Sequence, residues 1–406
     1  MARPTFARID LDAIMQNVRA VKNIPGVKKI CAAVKADAYG HGAPAVAKVM
    51  SAAGVDIFAV AMTEEAVELR QAGITEPIIL LTTVPEDDIE TILRWGITSC
   101  ITDEKFARRL SQVAKQKGFQ ATAHINIDTG MHRVGIPHDE ATDTILRIAQ
   151  LPALGITGIF THFACSEDRV ISREQLRLFN GIIANLKSSG YTPPLLHVAN
   201  STATLTMPEA YMDCVRPGLI LYGMLPPAIN KPAVDLRPAM SLHTRVSFCK
   251  DVPAGAKLGY GHTYRTWRQS TIVTLPLGYH DGYVRQYSNK GLVLIRGRRA
   301  PVVGRVCMDQ TLADATDIPG AESGDDVVIY GEQKGRRIRI EEMAADLGRI
   351  PYELTCSVGG RVRRKYVLEG EIIGETPMRS FVPRNIVERI QPGATYQKTS
   401  QRREVA

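Results

Sequence analysis

The chain has 406 residues, 45% hydrophobic and 23% charged, and contains no continuous apolar run of about 20 residues, which sets aside a disordered tether and a membrane-spanning helical protein. The formal charge of +8 comes from 50 basic and 42 acidic residues scattered along the chain; the densest basic stretches, 296–299 and 361–366, lack interleaved aromatic platforms, so no nucleic-acid partner is expected. Seven cysteines without a CxxC pair, behind an N-terminus that carries charges instead of an apolar leader, argue against a disulfide framework, a metal cluster or export, and for the cytoplasm.

From Lys29 to about Gly223 the sequence repeats one theme, a short β-rich run followed by a longer stretch with helical spacing. The strand candidates, in order, are "ICAAV" near 31, "IFAVAM" at 57, "PIILLT" at 77, "TSCIT" at 98, "TAHINI" at 122, "ITGIFTH" at 156, "LLHVAN" at 195 and the segment around "CVRPG" at 214. Between them lie helices such as "TEEAVELRQAG", where Thr63 is the expected cap and Gly73 the expected stop. Eight such units predict an α/β fold, a (β/α)8 TIM-type barrel, with an open doubly wound sheet as its competitor.

After Gly223 the stretch "MLPPAINKPAVDLRPAM" holds four prolines in 17 residues and reads as a linker. Short alternating runs follow, "SLHTRVSFCK", "STIVTLPLGY", "KGLVLIRGR", "APVVGRVCMD" and "GDDVVIYG", separated by turn residues, which predicts a mainly antiparallel β domain. The expected division is a barrel over 9–230, a β domain over 231–369 with residues 1–8 pairing onto it, and a polar extension over 370–406, disordered at its end.

Side chains at the carboxyl ends of barrel strands face a shared mouth. Lys35 follows the first strand. A lone lysine there is more often a snorkelling cation, but desolvation would turn its amine into a neutral nucleophile for a carbonyl. Company changes the reading: Arg133 follows strand five, His162 strand six, Asn200 and Ser201 strand seven, and Arg216 and Gly218 strand eight. These types suit a phosphorylated aromatic aldehyde, with Ser201, the amides at Gly218 and Leu219 and a tyrosine cradling phosphate and an arginine facing a pyridine nitrogen, which points to pyridoxal 5'-phosphate (PLP).

The motifs "AVKADAYGHG", "DTGMHRVG", "THFA", "HVANS", "VRPGLILYG", "LGYGHTY", "LGYHDGY", "VGRVCMDQ" and "IPYELTC", in this order, resemble those of alanine racemase, a PLP enzyme family of the barrel-plus-β-domain type. The resemblance runs from "ARIDLDAIMQN" to "RVRRKY". It implies that Lys35 bonds to the cofactor, that Tyr39, Ser201, Gly218, Leu219 and Tyr352 hold phosphate with Asn200 nearby, and that Arg216 meets the pyridine nitrogen, backed by His197. It further implies that Lys35 and Tyr260 of the partner subunit serve opposite faces of the substrate, with His162 linking that tyrosine to Arg216. Arg133 and Met308 match the groups that hold the substrate carboxylate, Tyr279 and Tyr352 the inner gate, and Glu167, Arg285 and Arg305 positions further out.

The implied activity is interconversion of L- and D-alanine in a homodimer, supplying D-alanine for peptidoglycan. A racemase of broader choice, for serine or basic amino acids, a decarboxylase of the same fold, and a non-catalytic PLP carrier are the alternatives. Two positions depart from the family pattern: Asn126 stands where many relatives have a carbamylated lysine, and His132 where glycine is frequent. The remaining histidines, His124 among them, show no metal-like spacing, and Asp37 and Asp128 read as structural hydrogen-bonding residues.

Overall fold

The computed structural model describes residues 3–226, 229 and 234–376. Strand β1 (Phe6–Asp10) leads into helix α1 (Leu11–Lys22), whose first turn is capped by the Asp10 carboxylate accepting from the Ala13 N–H at 2.9 Å. Leu11, Ile14, Val18 and Val21 recur at helical spacing and are all buried, which seats α1 on the core.

The barrel strands are β2 (Cys31–Ala33), β3 (Ile57–Val60), β4 (Ile78–Leu80), β5 (Ser99–Ile101), β6 (Ala121–Asp128), β7 (Leu154–Phe160) and β8 (Leu196–His197), every neighbouring pair parallel. The ladder β2-β3-β4 and the ladder β5-β6-β7-β8 are joined by the parallel bridge Ile79–Thr98. The eighth staff is only the stretch at Cys214 and Val215, bridged in parallel to His197 on one side and Ile30 on the other. The sheet therefore closes on itself, and the open-sheet competitor is excluded.

The helix read at "TEEAVELRQAG" forms as α4, after α2 (Lys35–Gly40) and α3 (Ala43–Ala52), but starts one residue earlier than expected. Thr63 is the first residue of α4 (Thr63–Gln71) and Met62 precedes it as the cap position. The Glu65 carboxylate takes the N–H groups of Ala61 and Met62, at 2.8 and 3.2 Å, and Thr63 instead donates its hydroxyl to Asp88. Gly73, at φ +83°, follows the helix as foreseen.

Beyond the barrel, the strands of four or more residues are β9 (Met240–Arg245), β10 (Phe248–Val252), β11 (Ser270–Leu275), β12 (Leu292–Ile295), β13 (Arg298–Pro301), β14 (Thr311–Asp314), β15 (Asp326–Gln333), β16 (Arg363–Leu368) and β17 (Glu371–Thr376). One sheet runs β13-β12-β15-β9-β1-β16-β17, with Arg336–Ile338 added at β15, and a smaller one runs β10-β11-β14. All pairs are antiparallel except β1 with β16. The chain's beginning thus lies between two strands of its end, and the pairing continues through Asp10, beyond the expected residue 8.

"APVVGRVCMD" was expected as one strand. It breaks after Pro301 because Gly304 takes φ +76° and Val302 bridges out to β14, a strand the reading had missed. The hairpin β16-β17 carries the sheet to Thr376, past the expected limit at 369. The expected boundary at 230 and 231, and the extension beyond 376, lie outside the described residues. Among the described residues no helix is long and apolar enough to cross a membrane.

Candidate active site

Lys35 opens α2 directly beyond β2, and the backbone there is unusual. Ala36, Asp37, Ala38 and Tyr39 all sit at φ 52° to 54°, so α2 is a left-handed turn built from four residues with side chains. Each such residue costs about 1–2 kcal/mol, so the surroundings must hold it. Glu65 accepts from the Ala36 N–H at 2.6 Å. The buried His41 places Nδ1 3.0 Å from the carbonyls of both Ala38 and Tyr39, and Arg364 of the β domain donates to the Gly40 carbonyl at 3.1 Å. Asp37 accepts from the Ala43 N–H at 2.7 Å, which fixes the start of α3.

The turn lays Tyr39 over Gly218: a Cβ built on Gly218 would lie 2.6 Å from the Tyr39 hydroxyl. Ser201 accepts from the Gly218 N–H at 2.9 Å and begins the short helix Ser201–Thr206, capped by Asn200, whose amide also reaches Ser166 at 2.5 Å. Leu219 starts the next tight turn, Leu219–Tyr222. Tyr352, on Pro351–Cys356, stacks obliquely on Tyr39 with 5.9 Å between ring centres. Tyr39, Ser201, Gly218, Leu219 and Tyr352 therefore gather at one end of the barrel, beside Lys35. Burial holds the Lys35 amine below its ordinary pKa, Arg133 and Arg216 lower it further, and Glu65 opposes the shift.

Arg216 is 4% exposed, and among the described residues no carboxylate lies within ion-pair distance of it. Its Nη1 meets His197 Nδ1 at 2.7 Å; its Nη2 meets His162 Nδ1 at 3.0 Å and the Thr161 carbonyl at 2.9 Å. None of these bonds uses Nε–H. Phe160 stacks on His197 at 4.7 Å and lies 5.0 Å from the guanidinium carbon, so one ring supports both. Burial, then the charge of Arg216, keeps both histidines neutral: His162 is lowered to about 3 and His197 well below its ordinary value.

Arg133, Asn126, Asp128 and His162 line one small cavity. Asn126 is buried there, yet among the described residues no hydrogen bond joins it to Arg133. His132 is exposed at φ +54°, the conformation that explains why glycine suits this place. Its ring contacts Asp128 at 3.1 Å. Burial alone would raise the Asp128 pKa, but the backbone N–H groups of His132 and Gly130 and the His132 ring hold it below its ordinary value.

Tyr260, Tyr279 and Met308 stand apart. They belong to the β domain, are 70%, 41% and 51% exposed, and among the described residues share no hydrogen bond or ring contact with the barrel mouth; within the β domain the Tyr279 N–H donates to the Cys307 carbonyl, beside Met308. Arg285 and Arg305 line a cavity on the same domain. Glu167 lies near Tyr352, where it adds to the burial that raises the tyrosine's pKa. The sequence reading had left Glu65, His41, Arg364 and His124 without a task in the site. For His124 a signal existed: the two-residue period of "TAHINI" puts it on the same strand face as Asn126.

Two family models match, the alanine racemase N-terminal domain over residues 9–226 and the alanine racemase C-terminal domain over 239–366. Alanine racemase 2 of Caldanaerobacter subterraneus subsp. tengcongensis is 43% identical over 374 residues, covering 91% of this chain and 96% of that protein. Alanine racemase of Clostridium tetani is 40% identical over 385 residues, 94% and 99% of the two chains. Among solved structures, alanine racemase of Clostridium difficile matches with a TM-score of 0.87 at 36% identity, over 93% of this chain and 99% of the other. That of Bartonella henselae, described as carrying covalently bound pyridoxal phosphate, matches with a TM-score of 0.81 at 30% identity, over 90% and 99%. With both domain models matched in order and relatives aligned along nearly their whole length, the chain belongs to the alanine racemase family.

Proposed function

We propose that the protein is a PLP-dependent racemase that interconverts L-alanine and D-alanine. The observation that carries this is the pairing, at one barrel mouth, of a half-buried amine with a pKa pulled down by burial and a buried arginine that is held by two neutral histidines and, among the described residues, has no carboxylate beside it. The residues fit the cofactor. Gly218 leaves room that a Cβ would fill, the Tyr39 and Ser201 hydroxyls and the Leu219 amide suit a phosphate, and the spare Arg216 Nε–H suits a ring nitrogen. Bound there, PLP supplies an aldehyde for the substrate amine and a ring that spreads the charge left at Cα.

Lys35 holds or releases a proton at Nζ on one face. Arg216 cannot give up its proton, so it would donate to the ring nitrogen of a bound cofactor and leave that nitrogen unprotonated, a setting that would favour return of the proton to Cα over side reactions. The other face needs a second acid-base group, and the partner subunit's Tyr260 is the group we assign. His162 has its Nδ1 occupied by Arg216, so its Nε2–H is free to donate to that phenol oxygen and ease its loss of a proton. Arg133 compensates the substrate carboxylate, with the Met308 amide from the partner side, while Tyr279 and Tyr352 narrow the entrance to a small side chain.

The exposure of Tyr260, Trp267, Tyr279 and Met308 supports a homodimer in which the β domain of one copy covers the mouth of the other. All seven cysteines are free, which supports a cytoplasmic enzyme, and D-alanine made there would serve peptidoglycan synthesis.

The test is exchange of the α-proton for deuterium across a panel of amino acids, read beside borohydride trapping of the yellow cofactor on Lys35. Fast exchange with alanine, slower with serine and basic amino acids, and a trapped Lys35 peptide are expected. A trapped cofactor without exchange would leave only the carrier reading, and carbon dioxide release would favour a decarboxylase.

A further inference from the structure

His124 has no part in the scheme above, yet it is placed with care. It is 4% exposed on β6, and its ring lies flat against Gly158, where an added Cβ would come within 2.6 to 2.8 Å of three ring atoms. Its Nδ1 is 2.8 Å from His197 Nε2. His124, His197, Arg216 and His162 thus form one continuous hydrogen-bonded chain through the barrel.

The order of protons along that chain follows from one member. A guanidinium has five donors and no acceptor. His197 Nδ1 and His162 Nδ1 must therefore both accept from Arg216, so neither ring is an imidazolium and each carries its proton on Nε2. The His197 Nε2–H then has to donate, and its partner is His124 Nδ1, which puts the His124 proton on Nε2 as well. Every bond runs outward from the arginine.

We propose that His124 is a positioning residue, the acceptor that fixes His197 as its Nε2–H tautomer and so keeps a lone pair facing Arg216. Without an acceptor at 124, the His197 Nε2–H becomes a buried donor with no partner, a state that folded proteins avoid. The competing tautomer, protonated on Nδ1, turns a donor against a donor and releases Nη1 of the guanidinium. The arginine that meets the cofactor ring then loses the support that aims it. Outer partners of this kind hold a first ligand in its tautomer and orientation, and their removal usually costs roughly 10–100-fold in affinity or activity.

Two variants separate the acceptor from the ring. His124→Phe keeps a ring against Gly158 and removes the acceptor; His124→Asn keeps an oxygen near the place of Nδ1 and removes the ring. The readout is the nitrogen spectrum of protein labelled with 15N-histidine, apo and with PLP, beside kcat, KM and the cofactor absorption band. In the unaltered protein His197 is expected to show a pyridine-type Nδ1 and a pyrrole-type Nε2. In His124→Phe a pyrrole-type Nδ1 should appear, the absorption band should move, and kcat should fall by roughly 10–100-fold with KM for alanine unchanged; His124→Asn should restore all three. A His197 protonated on Nδ1 from the outset, an unchanged tautomer in His124→Phe, or an Asn variant no better than the Phe variant would each overturn the proposal. The kinetic arm rests on the racemase reading, but the apoprotein spectrum does not, so failure of one leaves the other decided.

Discussion

His41 shows what a single buried ring costs and returns. Its Nδ1–H ties down two carbonyls of the left-handed turn, and burial pushes its pKa from the ordinary 6.5 to about 4. The unfolded chain therefore takes up this proton first as pH falls. The contribution is complete above about pH 6.5, declines from there to about pH 4, and is gone below, a loss of about 3 kcal/mol. Urea unfolding midpoints measured across that range should drop in the native protein. In His41→Phe the midpoint at neutral pH should be lower, because two carbonyls lose their donor, and the decline with acid should be shallower. The same slope in both would mean that another group carries it.

Among the elements, α2 is the one whose sequence misleads. "KADAY" has ordinary helix formers, and nothing in propensity announces a left-handed turn. The cause is tertiary, since Glu65, His41 and Arg364 reach it from α4, from the residue after Gly40 and from the β domain. Ala36→Gly should for this reason reverse the usual rule. Glycine in a right-handed helix destabilises by about 1 kcal/mol, whereas here it relieves a left-handed alanine, and the melting temperature should hold or rise. A clear fall would show that the turn is less strained than its dihedrals imply. The β-rich runs, by contrast, announced the barrel well, because eight short apolar staves with helices between them have few ways to pack. Legibility failed where a partner was distant in sequence: the Thr63 hydroxyl is taken up by Asp88 instead of the helix cap, and β14 was overlooked because its neighbour lies some forty residues earlier in β11. The mouth residues were readable because each follows its own strand. The order of protons behind them was not, since it depends on two rings meeting one guanidinium and a third ring meeting one of those two.

At the scale of the whole molecule the proposed mechanism draws on two places, with Lys35 and Arg216 in the barrel and Tyr260 exposed on the β domain. Mixing two inactive variants, Lys35→Ala and Tyr260→Phe, should therefore restore activity. A mixed dimer has one site with both defects and one with neither, so random pairing gives about a quarter of the native rate. No recovery after confirmed subunit exchange would mean that both groups act within one chain.

Strand β1 imposes a schedule on synthesis. Phe6–Asp10 is made well before either of its neighbours, Met240–Arg245 and Arg363–Leu368. Until they emerge this segment waits with both edges bare, while the barrel that follows it can already assemble. The nascent chain thus carries its own unfinished seam as a tether, and the β domain is completed by a strand borrowed from ahead of the barrel.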